Sequence, residues 1–251
     1  MICSLLVFRT RELPRPLADL SPWLDWLGTR RDDVYRQLER QTHRRFIKTH
    51  TPLDGLPLDD RATFIVVARH PLDMAVSLYH QGDNLDRMRI SELTGGPVRE
   101  PVRDDLPTWL RQWIAWDGDP RQQLDSLPGV FSHLTDAWTR RHQPNIELVH
   151  YDDLIADLPA EMKRLAVALD IDIEPDLIDH LASAATFTEM KARSDLLAPD
   201  PAGVLKDRSR FFRRGHSGSA SEVLTADDMA AYRSRAAALA PDDMIEWLHR
   251  H

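Results

Sequence analysis

The stretch "ATFIVVARHPLDMAVSLYHQG" (residues 62–82) decides the architecture. Its apolar run is continuous rather than alternating, which marks a strand buried on both faces, as in a parallel sheet. Pro71 then stands at a natural first helical position, and "LDMAVSLYHQG" continues as a helix to Gly82. A buried strand that passes at once into a helix is one step of an α/β fold. It delivers Arg69 at the carboxyl edge of the sheet, where ligands of open α/β sheets collect. Two readings of Arg69 stand side by side. With the helix N-terminal amides, and Ser77 two turns further on, it makes a phosphate site. Alternatively it pairs with a local carboxylate such as Asp73.

Working outward, "RRFIKTH" (44–50) and "NIELVH" (145–150) read as two further strands, the latter running into a loop. Helical patterns cover 31–41, 108–116, 129–143, 159–171, 174–185, 226–239 and 241–251. Strands alternating with helices give an α/β fold with a parallel central sheet flanked by helices. Residues 83–108 are polar, with a Gly-Gly pair and three prolines, and read as a long loop or lid with short helical pieces. Trp109, Trp113 and Trp116 share one helical face, read as core packing or as an aromatic substrate wall.

Two more segments bear on chemistry. In "RRFIKTHTPLDGLP" (44–57), strand alternation points Lys48 and His50 the same way and Thr49 the other. That arrangement is either an anion site with a proton acceptor or two polar side chains at a strand end. In "FFRRGHSGSASEVLT" (211–225), Arg213 and Arg214 precede Gly215 and Gly218. Paired arginines give forked donors and glycines let the backbone approach an anion. The same composition also describes a flexible exposed loop.

The bulk numbers narrow the classes. The 251 residues carry a formal net charge of -8, which gives no support for nucleic-acid binding. The single cysteine, Cys3, rules out an internal disulfide framework and fits a cytoplasmic protein. The apolar opening "MICSLLVF" is too short for a membrane span and lacks the flanks of a signal peptide. It reads as the inside of a helix. His249 and His251 form a weak metal pattern at what reads as a frayed end, so no metal is expected.

Four segments, in order, resemble the cytosolic-type sulfotransferases, and the chain is identified as a bacterial member of that family. "RFIKTHTPLDGLP" resembles the family's R-x-x-K-T-H-x-P strand, and "TFIVVARHPLDMAVSLYH" its V-x-R-N-P-x-D-x-x-V-S-x-Y-H segment. "ELVHYDDLIADLPAEMKRLAVALDI" resembles the Y-E-D-L segment and its helix. "TFTEMKA" with "FFRRGHSGSASEVLT" resembles the S-F-x-x-M-K and R-K-G-x-x-G-D-W pair. The resemblance implies a P-loop NTPase-like fold in a single domain over 1–251. It also implies transfer of a sulfuryl group from PAPS, released as PAP, to a hydroxyl of a small-molecule or glycolipid acceptor. On it, His50 is the general base and Lys48 the cation on the oxygen that leaves sulfur. Arg69 and Ser77 match 3′-phosphate ligands, and Arg213, Arg214 and Gly215 match the loop that closes on that phosphate. Tyr151 matches a residue near the adenine and Phe187 an aromatic that stacks on it, with Thr186 beside it.

There are departures. After Gly218 stands "SAS" where the family often has Asp-Trp-Lys. No counterpart of the family's first strand and its Y-P-K-S-G-T-T-W loop, which wraps the 5′-phosphosulfate, precedes "MICSLLVF". The expectation is therefore an N-terminally truncated chain, from a misassigned start codon, with impaired donor affinity. The alternative is a non-catalytic relative that holds PAP or PAPS. A nucleotide kinase is disfavoured by the lack of G-x-x-x-x-G-K-[ST]. The acceptor's identity and the oligomeric state are open.

Overall fold

The computed structural model describes residues 1–98 and 103–250. Among them the sheet has two strands, β1 (Phe64–Ala68) and β2 (Ile146–His150), paired in parallel from Phe64 opposite Ile146 to Ala68 opposite His150. Helices flank it, as expected of an α/β fold. The in-register pairing has a direct consequence: Arg69 and Tyr151, the next residues of each strand, leave the sheet at the same carboxyl edge.

The chain divides into two compact units. One comprises Met1–Thr51, Gln81–Pro101 and Asp157–Gly215; the other comprises Pro52–His80, Val102–Ala156 and His216–His251. The second unit holds the sheet. Its core is built on Leu72, Leu110, Leu127, Phe131 and Tyr232, all fully buried. Helix Pro71–Asp83 starts with proline in its first position, and its Leu72 amide donates to His70 Nδ1 (3.2 Å), closing the first turn. Helix Leu106–Ala115 buries Trp113 and lays Trp109 against the same core, while Trp116 falls beyond its end. The core reading of that aromatic face therefore holds for Trp109 and Trp113.

In the first unit, helix Ile2–Phe8 buries Ser4, Leu5 and Leu6, and packs on helices Leu158–Ala168 and Pro175–Ala184. Arginines fasten its loops to carbonyl groups. Arg9 donates to Asp172 O (2.7 Å), and Arg193 donates to Arg11 O (2.8 Å) and Ala184 O (2.6 Å).

Several sequence expectations are corrected. Residues 44–50 form no strand. Their ladder is a single parallel bridge, Trp23 with Lys48, made by Lys48 N to Pro22 O (3.0 Å) and Leu24 N to Lys48 O (2.8 Å). A strand needs a continuous partner, and here the partner is three residues long. The chain after β2 is helical at once (Tyr151–Ala156), not a loop. The C-terminal His249 is not frayed: its Nδ1 lies 2.7 Å from Ile245 O and its Nε2 2.7 Å from the Tyr232 hydroxyl. Because a carbonyl only accepts, Nδ1 carries the proton and the hydroxyl donates to Nε2. Within 83–108 there is a helix, Arg87–Thr94, capped by Asp86 and ended by Gly95 in the left-handed region; residues 99–102 of that stretch lie outside those described.

Candidate active site

Lys48 and His50 meet on one side chain, the indole of Trp23. The Lys48 ammonium lies 3.7 Å from the ring centroid, and the His50 imidazole meets the ring edge-on at 4.5 Å. Thr49 points elsewhere and donates to Asp25 Oδ2 (2.7 Å). The alternation read from the sequence therefore holds locally even though no strand forms. Trp23 in turn stacks on Trp26 with centroids 5.1 Å apart.

Asp25 organises this corner, and sequence reasoning did not single it out. Its Oδ1 accepts from Trp23 Nε1 (2.6 Å). Its Oδ2 accepts from Thr49 Oγ1 (2.7 Å), the His50 amide (2.9 Å), and the amide (2.9 Å) and hydroxyl (2.7 Å) of Thr51. Burial pushes this carboxyl up, but the bonds from Thr51, Thr49, the His50 amide and Trp23 outweigh it and hold it at about 2. The opposite balance governs Lys48. Desolvation lowers its ammonium from 10.5 to about 8, with Asp25 opposing part of the fall.

In the second unit, Arg69 leaves β1 and lies over the Tyr151 ring, its guanidinium carbon 4.3 Å from the centroid. Its Nη2 donates to His216 O (2.7 Å), while Nε is buried without a hydrogen-bond partner among the described residues. Asp73 is not its ion-pair partner. That buried carboxylate accepts the amides of Gly218 and Ser219, both at 2.8 Å. Ser217 Oγ donates to Asp152 Oδ1. The segment 216–219 is thus tied to residues just beyond both strands. Ser77 is half-buried on helix Pro71–Asp83, one turn after Asp73 and on the same face. Burial pushes the Tyr151 hydroxyl up.

In the first unit, Phe187 and Gly215 are brought together. Gly215 has φ 72, and a Cβ there would lie 2.4 Å from Phe187 Cγ, so only glycine fits. Thr186 caps helix Phe187–Ala192, its hydroxyl accepting from the Glu189 amide (3.4 Å), and is exposed. Arg213 is half-buried and Arg214 exposed on the approach to Gly215. The ten expected residues therefore form three local groups: Lys48 with His50; Arg69 with Tyr151, and Ser77 nearby on the helix that follows β1; Thr186 and Phe187 with Gly215 and the two arginines before it.

Comparison with known proteins gives the chemistry a family. Residues 3–238 match the sulfotransferase domain. The glycolipid sulfotransferase of Mycobacterium bovis is 39% identical over 269 residues, covering 99% of this chain and 82% of that protein. That of Mycobacterium tuberculosis is also 39% identical, over 268 residues with the same coverage. The crystal structure of mouse sulfotransferase SULT7A1, complexed with PAP, has a TM-score of 0.67 at 21% identity, covering 87% of this chain and 74% of that one. The last of these speaks for the fold alone, an α/β, P-loop-like fold. The family match and the mycobacterial relatives span nearly the whole chain, and this protein belongs to the sulfotransferase family, an enzyme family that moves a sulfuryl group onto acceptor hydroxyls.

Proposed function

We propose that this chain places the sulfuryl group of PAPS on a hydroxyl of a glycolipid, with His50 and Lys48 as its catalytic pair, working as one domain over 1–251 in the cytoplasm. The observation that carries the reading is the shared seat of Lys48 and His50 on Trp23, at 3.7 Å and 4.5 Å. It presents a base and a cation from one surface.

The residues present fit a 3′-phosphorylated nucleotide. Arg69 offers a buried Nε still lacking a partner among the described residues. Gly215 places bare backbone against the Phe187 ring, next to Arg213 and Arg214. In this reading Arg69 and Ser77 are phosphate ligands and Tyr151 a neighbour of the base; the family resemblance gives Arg213, Arg214 and Gly215 a phosphate role, and Thr186 and Phe187 a role at the base. When bound, PAPS supplies an activated sulfuryl group. The chain's own task is then to take a proton and balance a charge. The His50 imidazole accepts the proton of the acceptor hydroxyl as its oxygen bonds to sulfur. The Lys48 ammonium stabilises charge on the oxygen released from sulfur. The glycolipid assignment rests on the relatives that are 39% identical.

The test separates chemistry from binding. His50→Ala is expected to abolish sulfuryl transfer to a glycolipid while leaving PAP affinity by calorimetry nearly intact. Arg69→Ala is expected to weaken PAP instead. Equal loss of PAP binding in both variants refutes this division of labour, and PAP binding without turnover by the unaltered chain refutes the catalytic reading.

A further inference from the structure

One surface carboxylate collects five hydrogen bonds, and four of them come from the three consecutive residues Thr49, His50 and Thr51. The fifth comes from the indole that carries Lys48 and His50. We infer that Asp25 is a positioning residue for sulfuryl transfer: it locks the backbone that bears His50 to the indole on which Lys48 and His50 rest. The inference depends on the catalytic assignment of those two residues proposed above.

An ionised carboxylate only accepts, and about four lone-pair sites are its capacity. Four donors share the two lone-pair sites of Asp25 Oδ2 and one indole N–H takes Oδ1, and these bonds fix different coordinates. The His50 and Thr51 amides set the direction of the main chain. The two threonine hydroxyls fix the side chains on either side of His50, and Thr49 Oγ1 also accepts from the Thr51 amide (2.9 Å). The Trp23 Nε1 bond fixes the tilt of the indole, and with it the plane that both catalytic side chains meet. Without Asp25, the bridge between Trp23 and Lys48 remains. That bridge fixes the main chain at Lys48 but not two residues later, where the imidazole is. A base that wanders by an ångström loses most of its effect, since such a misplacement can lower a rate by about 100-fold.

The ionisation of Asp25 agrees with this. A carboxyl held at about 2 stays an acceptor across the whole working range, so the lock does not open with pH. A protonated group or an amide would turn one of its atoms into a donor facing another donor.

The experiment uses the full chain with Asp25→Ala and Asp25→Asn, and His50→Ala as the benchmark. Asp25→Ala is expected to lower kcat roughly 10- to 100-fold, with PAP affinity within about threefold of wild type. Asp25→Asn, which keeps one carbonyl oxygen for the Thr49–Thr51 donors, is expected to fall between the two. A readout independent of turnover is the protection and chemical shift of the His50 and Thr51 amides by NMR, both expected to change in Asp25→Ala. Unchanged amides, or a kcat loss that only tracks a loss of folded protein, overturns the inference. A His50→Ala chain with wild-type turnover instead overturns the catalytic assignment on which it rests, and the two failures are distinguishable.

Discussion

Replacing Lys48 by methionine is expected to make the protein more stable while removing its activity. Desolvation lowers the Lys48 ammonium from its ordinary 10.5 to about 8 in the folded chain. Each pH unit of that difference corresponds to about 1.36 kcal/mol, so holding the charge in the folded state costs about 3 kcal/mol near neutral pH. The indole beneath Lys48 returns part of this, since a cation over an aromatic ring is worth about 0.5–2 kcal/mol. Methionine keeps an unbranched stem of similar reach on Trp23 without the charge, so the variant should gain about 1–3 kcal/mol.

The sign of the pH dependence gives the sharper check. The unfolded chain binds the Lys48 proton more tightly than the folded one. The cost is therefore complete below about 8 and fades as pH rises from about 8 toward 10.5. At pH 9.5 it should have dropped to about 1.4 kcal/mol before the aromatic contact is counted. Urea denaturation of wild type and Lys48→Met, at pH 7 and pH 9.5, measures the gap between the two proteins. A gap that narrows with pH supports the reasoning. A constant gap, or a variant less stable than wild type at pH 7, refutes it.

The remaining expectations concern other groups. Turnover should decline as pH passes upward through about 8, where the Lys48 ammonium is lost; a rate flat to pH 9.5 would remove Lys48 from the charge-stabilising role. Gly215→Ala puts a Cβ 2.4 Å from Phe187 Cγ at a residue with φ 72. It should weaken PAP by about 10-fold or more in calorimetry, through strain of about 1–3 kcal/mol. Asp73→Ala leaves the amides of Gly218 and Ser219 without their acceptor. It should destabilise the protein by about 2–4 kcal/mol in urea titration, and Asp73→Asn by less.

The parts of the fold that the sequence displayed are those fixed by near neighbours. Phe64–Ala68 is one apolar run and Pro71 opens the next helix, so strand, turn and helix were all legible in twenty residues. Thr225 and Asp228 cap each other across three residues, and the helix Ala226–Leu239 came out with the bounds read from its pattern. The segment 44–50 misled for the opposite reason. Its residues favour an extended chain, but whether that chain is a strand depends on a partner about 25 positions away, and that partner offers a single bridge. Family resemblance named Phe187 and Gly215 separately. That the glycine's bare backbone rests on the phenyl ring is a fact of packing that no local pattern encodes.

Asp25 shows where such reading stops, and why. In "PWLDWLG" a lone aspartate between two tryptophans has no period, no charged neighbour and no turn signature. Its importance comes from the donors that converge on it from 24 to 26 residues further along. The segment it holds is the one that looked like a strand and is not. A β-ladder would have fixed His50 through regular backbone bonds. With one bridge in place of a ladder, the His50 and Thr51 amides still need acceptors, and a side-chain carboxylate supplies them. The failed strand and the overlooked aspartate are therefore one observation. If an engineered chain were given a full ladder along 44–50, Asp25 should become dispensable for holding His50, and the loss of kcat on Asp25→Ala should shrink accordingly.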